Sequence, residues 1–221
     1  MSARAVIFDL DGTLVDSPAA ITRITSDLLR EMGHELPDAE IRATVGKPLE
    51  QNLAQLMGLE PEHPDIVKAK TLYRERFGAY VRERRGDLLY PGVREGLDRL
   101  RGRGTRTAVA TSKTLDGARK TVRATDIADL IEALVGDDMV ATGKPDPEMA
   151  LHAAGLLDTD PERCTVVGDT VGDIRMGRAA GMATIGVTYG VGEEAELLAS
   201  GAGDITDSFA EVVDLLLREN P

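Results

Sequence analysis

The chain has 221 residues, is 42% apolar and carries a formal net charge of −12. That is enough apolar chain for a globular core in one or two domains, and the acidic excess disfavours nucleic acid as a partner. No apolar stretch of about 18 residues and no basic-then-apolar N-terminus occurs, and Cys164 is the single cysteine; these features predict no membrane span, no secretion and a reducing, cytoplasmic setting.

In chain order, the run Ala5-Val6-Ile7-Phe8 reads as a buried parallel strand. It ends on Asp9, Asp11 stands two positions later, and Gly12 breaks the strand and lets the backbone approach a ligand. Two carboxylates at the tip of a buried strand are costly unless a cation or a reaction needs them. Helices are predicted over Pro18–Met32, with Gly33 as stop, over Ala39–Thr44, with Asp38 as cap, and over Leu49–Met57, stopped by Gly58. A long charged helix follows over Pro64–Arg85, with Val67, Leu72, Phe77 and Val81 among its apolar positions. Asp16-Ser17 is read as a helix cap. Residues 16–90 show no strand pattern and are taken as an all-helical insertion.

Tyr90-Pro91-Gly92 marks the return, and the pattern then alternates. Strands are predicted over Arg106–Thr111, Leu130–Val135, Thr165–Gly168 and Ala183–Val187. Helices are predicted over Val93–Arg103, Leu115–Thr125, Pro147–Ala154, Val171–Ala180, Glu194–Ala199 and Phe209–Arg218. Such alternation predicts an α/β fold, a doubly wound parallel sheet with right-handed crossovers. Its two segments, 1–15 and 91–221, would form the core domain and 16–90 the helical one.

Ligands of doubly wound sheets sit beyond the carboxyl ends of the strands. Asp9 ends the first predicted strand, Thr111-Ser112-Lys113 follow the second, Lys144 lies in the loop after the third, and Gly168-Asp169 follow the fourth. Carboxylates suit Mg²⁺ and one of them can attack phosphorus, while hydroxyls and an ammonium stabilise transferring oxygens and a second acid can protonate the leaving group. Only six of the 26 basic residues are lysines, which singles out Lys47, Lys113 and Lys144. Lys113 reads as a supporting or surface charge rather than a phosphate ligand. Lys47, in Gly46-Lys47-Pro48, could equally be a solvated loop charge.

Several other readings were weighed. An EF-hand counted from Asp9 would need glycine at Leu14 and glutamate at Ala20, so it fails. Asp169 and Asp173 could each cap or flank the following helix; the preceding strand and the other motifs favour a site role for Asp169, less firmly for Asp173. Gly190-Val191-Gly192-Glu193-Glu194-Ala195 fits a dinucleotide fingerprint only by putting acids where a pyrophosphate would lie. The three histidines share no ligand spacing with one another or with Cys164, which argues against zinc.

Together, Asp9-Leu10-Asp11-Gly12-Thr13, Thr111, Lys144-Pro145 and Gly168-Asp169-Thr170-Val171-Gly172-Asp173 resemble the four motifs of the haloacid dehalogenase superfamily phosphatases. The chain is most similar to the phosphoglycolate phosphatase group with a helical cap. The resemblance covers nearly the whole chain and implies a Rossmannoid core with the cap inserted after the first strand. It implies Asp9 as nucleophile, Asp11 as general acid and then base, and Thr111, the Ser112 amide and Lys144 around the phosphoryl group, with Gly12 beside it. Mg²⁺ would be held by Asp9, the Asp11 main-chain carbonyl and Asp169, with Asp173 as a further or outer ligand. The equivalent cap loop of relatives faces the substrate, which points to Lys47 at its non-reacting end. The Gly190 segment resembles the tyrosine-glycine-rich loop these relatives carry after their fifth strand. The expected partner is a small phosphorylated metabolite, 2-phosphoglycolate first; pyrophosphate, sugar phosphates and nucleotide monophosphates are the alternatives, and a non-catalytic phosphate-sensing or interaction protein on the same fold is the rival of another class. The sequence leaves monomer and dimer both open.

Overall fold

The structure, a computed structural model, describes residues 5–218. The outer ends of the expected core segments, 1–4 and 219–221, lie outside the described residues.

The elements run β1 (Ala5–Phe8), α1 (Pro18–Glu31), α2 (Asp38–Arg42), α3 (Leu49–Met57), α4 (Pro64–Arg84), α5 (Val93–Gly102), β2 (Arg106–Thr111) and α6 (Leu115–Ala124). They continue as β3 (Ala133–Gly136), α7 (Glu148–Leu156), β4 (Cys164–Gly168), α8 (Val171–Ala179), β5 (Ala183–Val187), α9 (Glu194–Ala199), β6 (Asp204–Thr206) and α10 (Phe209–Arg218). The six strands form one parallel sheet in the order β3-β2-β1-β4-β5-β6. β1 is central, with Phe8 in register with Val109 of β2 and Val167 of β4.

Side chains alternate across a strand, so β1 feeds two cores. Val6 and Phe8 face a layer that includes Leu97, Leu100, Val212 and Val213 of α5 and α10, and Phe8 packs on Phe209 with ring centroids 5.7 Å apart. Ala5 and Ile7 face Met149, Ala150 and Ala153 of α7 and Met176 of α8. Helices therefore cover both faces, as a parallel sheet buried on both sides requires.

The stretch between β1 and α5 contains helices and no strand, only two isolated bridges, Asp11 with Val15 and Val15 with Leu89. The outgoing and returning chains run side by side: Asp16 N–H donates to Leu88 O at 2.7 Å and Tyr90 N–H to Leu14 O at 3.1 Å. The apolar faces of α1, α3 and α4, through Leu28, Leu53, Ile66 and Phe77, join the same apolar cluster as Val6 and Phe8.

Several expectations are corrected. β3 begins at Ala133 rather than Leu130, because residues 128–130 close a 3₁₀ turn in which Leu130 N–H bonds Ile127 O. β6 was not anticipated; three residues carry too little alternation to announce a strand. Asp38 is the first residue of α2, not its cap, and Pro37 occupies the cap position without a side-chain bond. On α4 the buried face is Ile66, Ala69, Tyr73, Phe77 and Val81, while Val67 is 53% exposed. Ser17 stands at the cap position of α1, but its side chain makes no capping bond.

Candidate active site

The carboxyl ends of β1, β2 and β4, with the loop after β3, meet at one edge of the sheet. Beside β4, Asp9 N–H continues the ladder to Val167 O at 2.9 Å, which carries the Asp9 side chain straight out of the strand. The chain then closes a tight loop in which Gly12 N–H bonds Val15 O at 2.8 Å and Val15 N–H bonds Leu10 O at 2.9 Å. Gly12 has φ +93°, and a Cβ there would strike the Asp169 carboxylate. Only glycine meets both conditions.

Asp169 is fully buried and held from two sides. Thr13 Oγ1 donates to its Oδ1 at 3.0 Å and Val191 N–H to its Oδ2 at 2.9 Å. Gly192 N–H bonds the Asp169 carbonyl at 2.9 Å, and a Cβ at Gly190 would collide with the Asp169 side chain. Tyr189 ties the two loops together, its hydroxyl donating to Thr13 O at 2.9 Å. The tyrosine-glycine segment is thus the cradle of Asp169.

Asp173 combines the two readings open for it. Its Oδ2 accepts from Thr170 Oγ1 at 2.6 Å and Thr170 N–H at 3.0 Å, a capping box at the start of α8. Its Oδ1 turns inward and pairs with the Lys144 ammonium at 2.6 Å. Lys144 also hydrogen-bonds Asp9 Oδ1.

Oxygens of Asp9, Asp169 and Asp173 lie within 4.8 Å of one another, all buried. Three carboxylates face one ammonium out of water, and their protonation responds. Burial, then the neighbouring acids Asp173 and Asp11, push the Asp9 carboxyl up to about 7 despite the Lys144 charge. Burial, Asp9 and Asp173 also hold Asp169 well above the ordinary range. Burial alone would lower Lys144, but Asp173 and Asp9 outweigh it and keep the ammonium charged. An all-carboxylate oxygen set in which three buried acids share a single ammonium fits a hard divalent cation.

The Asp11 carboxylate stands apart from that triad. Ser17 Oγ donates to its Oδ1 at 2.5 Å and Lys113 Nζ lies 2.9 Å from its Oδ2. Thr111, 2% exposed at the end of β2, lines the same cleft, and its Oγ1 accepts from Lys113 N–H at 3.3 Å. Ser112 Oγ donates to Gly46 O of the helical insertion at 2.6 Å. Lys47 lines the cleft, but its ammonium bonds Gln55 Oε1 at 2.7 Å rather than any core residue. The cleft measures about 1170 Å³, and its walls come from both the sheet edge and the helices α3 and α4. Ser17 and Thr13 did not stand out in the sequence as site residues; Lys113, which reads in sequence as a supporting or surface charge, pairs with Asp11.

The chain matches the model of the haloacid dehalogenase-like hydrolase family over residues 6–187 and belongs to that family. It is 41% identical over 209 residues to the probable phosphatase IndB of Dickeya dadantii, covering 94% of this chain and 91% of the relative. It is 32% identical over 224 residues to a phosphoglycolate phosphatase of Nitrosospira multiformis, covering 98% and 97%. Among solved structures, a predicted phosphatase from Clostridium acetobutylicum superposes with a TM-score of 0.85 at 26% identity, covering 98% of this chain and all of the other. The chain is accordingly an enzyme of the phosphatase type. Among the described residues, no helix is long and apolar enough to cross a membrane.

Proposed function

We propose that this phosphatase is a Mg²⁺-dependent phosphomonoesterase working through an aspartyl-phosphate on Asp9, with 2-phosphoglycolate as its favoured substrate in the cytoplasm. The observation that carries the reading is the meeting of buried Asp9, Asp169 and Asp173 with Lys144 at the carboxyl edge of the sheet. Phosphoglycolate phosphatases at 32% and 30% identity over nearly the whole chain support the substrate.

Asp9, Asp169, Asp173 and the Asp11 main-chain carbonyl would hold Mg²⁺, which when bound neutralises the carboxylates and draws charge from the phosphoryl oxygens. Asp9 attacks phosphorus in line, the bond to the leaving oxygen breaks, and Asp11 protonates that oxygen. Asp11 then takes a proton from the water that cleaves the aspartyl-phosphate, releasing phosphate and restoring Asp9. Lys144, Thr111 and the Ser112 amide hold the transferring oxygens, and Gly12 leaves room for them. Residues 16–90 act as a cap over the core formed by 1–15 and 91–221, with hinges beside Ser17 and Tyr90, and Lys47 leaves Gln55 to meet the substrate's non-reacting end.

A second reading rests on the cleft, whose volume of about 1170 Å³ exceeds the need of so small a substrate. It favours a bulkier sugar-type phosphomonoester. An N-acetylmuramic acid 6-phosphate phosphatase of Pseudomonas aeruginosa is 31% identical over 222 residues. Phosphate release from a panel of phosphorylated metabolites, with Mg²⁺ and with chelator, tests both. Release should require Mg²⁺, vanish in Asp9→Asn, and rank 2-phosphoglycolate first by kcat/KM; a sugar phosphate ranked first selects the second reading, and turnover surviving in Asp9→Asn removes the nucleophile.

A further inference from the structure

Asp11 is held more tightly than a group that only needs to reach a leaving oxygen. Of its two partners, Ser17 comes from the same loop six residues on, but Lys113 comes from the loop after β2, the strand beside β1. The Lys113 backbone is fixed on both sides, its N–H donating to Thr111 Oγ1 and its carbonyl accepting from Asp137 N–H at 2.9 Å. Its ammonium has a second neighbour: it stands 4.0 Å from the ring centroid of Phe77 on α4. Phe77 in turn stacks on Tyr73 at 5.8 Å with planes 6° apart, so the ring cannot turn freely away. The Lys113 side chain is 16% exposed and that of Asp11 11%. An ion pair this sheltered, sandwiched by an aromatic face, holds its geometry far better than an exposed pair does.

We infer that Lys113 is a positioning residue: its ammonium fixes the Asp11 carboxylate at the leaving-group side of the site and ties that position to the seating of α4 through Phe77. The inference rests on the reading of Asp11 as the proton-transfer group. Lys144 pairs with Asp9 and Asp173, whereas the Lys113 ammonium lies on Asp11, so its charge is placed at the leaving-group side. What Lys113 adds is a link between the insertion and Asp11. With α4 seated, the ammonium contacts both ring and carboxylate; with α4 withdrawn, it loses one of its two neighbours and Asp11 loses a fixed partner. A displacement of about 1 Å at such a group costs on the order of a hundredfold in rate.

Single-turnover release of the leaving group from p-nitrophenyl phosphate and from 2-phosphoglycolate (or another alkyl phosphate the wild type turns over), which reads the first step before Asp11 acts as base, tests this, with steady-state KM measured beside it. The aryl oxygen leaves with little help, whereas the alkyl oxygen needs a proton. In Lys113→Met, the single-turnover rate on the alkyl phosphate should fall on the order of a hundredfold with KM within about twofold, and the single-turnover rate on the aryl phosphate should stay within about threefold. Lys113→Arg should recover most of the loss, Phe77→Leu should show a smaller loss on the same substrate, and Lys113→Met should add nothing in an Asp11→Asn background. Thermal melts establish that each variant is folded; should Lys113→Met not fold, Lys113→Arg and Phe77→Leu carry the comparison. A raised KM with unchanged kcat would make Lys113 a substrate ligand and overturn the inference. Equal losses on both substrates, additivity with Asp11→Asn, or unchanged kinetics overturn it as well. If Asp11→Asn itself loses equally on both substrates, the proton-transfer reading of Asp11 falls, while the double-mutant comparison still reports whether Lys113 acts through Asp11.

Discussion

Ser17 carries two demands at one position. It stands where α1 starts, yet its hydroxyl, fully buried, points away from the helix and donates to Asp11 at 2.5 Å. The helix does not rely on it for capping; Pro18 at its first position has no N–H to satisfy, so the orphan count there is already lower. Ser17→Ala should therefore leave α1 intact and strip one donor from a buried carboxylate, at a cost of about 1–3 kcal/mol in stability. The same variant should lower kcat on an alkyl phosphate more than on an aryl phosphate, because Asp11 is left with Lys113 alone. Denaturant melts and the ratio of the two kcat values check this, and an unchanged ratio would reduce Ser17 to a purely structural role. Asp11→Asn gives the reference ratio for the comparison, since it removes the transferable proton while keeping the shape of the side chain.

Among the elements, the loop after β5 shows why spacing alone reads poorly. In sequence, Gly190-Val191-Gly192-Glu193-Glu194-Ala195 matches a dinucleotide fingerprint only formally, its acids exclude that reading, and the resemblance to a tyrosine-glycine-rich loop does not say what the loop holds. In the fold it holds a single acid by one main-chain N–H, one tyrosine hydroxyl relayed through Thr13, and two positions with no room for a Cβ. Gly190→Ala would drive its methyl into Asp169 and Gly12 O, and the loop or the carboxylate must give way. The expected result is a Mg²⁺ affinity about 10–100-fold weaker with a lower Tm, read by activity titration and by calorimetry. Unchanged affinity would show that the loop yields without disturbing Asp169. The strand ends that deliver Asp9, Thr111 and Asp169 were legible because an apolar run closing on a polar residue needs no tertiary information. Lys144 was legible only by its loop and its rarity. The partners of Asp11 and the short β6 were not legible, since both depend on which residues the sheet order brings side by side. For Asp173 the helix-start reading holds, since its Oδ2 closes the capping box, while its Oδ1 faces Lys144 among the buried acids.

For the molecule as a whole, an acidic chain with three buried carboxylates around one lysine links folding to both protons and cations. Asp9 rises from 3.8 to about 7 in the fold, and Asp169 rises too, both chiefly through burial. An acid whose folded value lies above its unfolded one binds more protons when folded, so its contribution to stability falls as pH climbs between the two values. For Asp9 that window runs from 3.8 to about 7. In chelator, the wild type should lose stability across it relative to Asp169→Asn, which lacks one of the ionising acids. Mg²⁺ should reverse the loss by taking the place of the protons, because its ligands must be ionised. At about a hundred times its Kd the cation adds about 2.7 kcal/mol, roughly 5–10 °C in Tm for a chain of this size. That gain should be full near pH 7.5, shrink towards pH 5 and be largely absent in Asp169→Asn. Melts at the two pH values, with Mg²⁺ and with chelator, decide the matter: an equal gain at both would mean that the cation does not displace protons from these carboxylates, and that the charge of the triad is balanced in some other way.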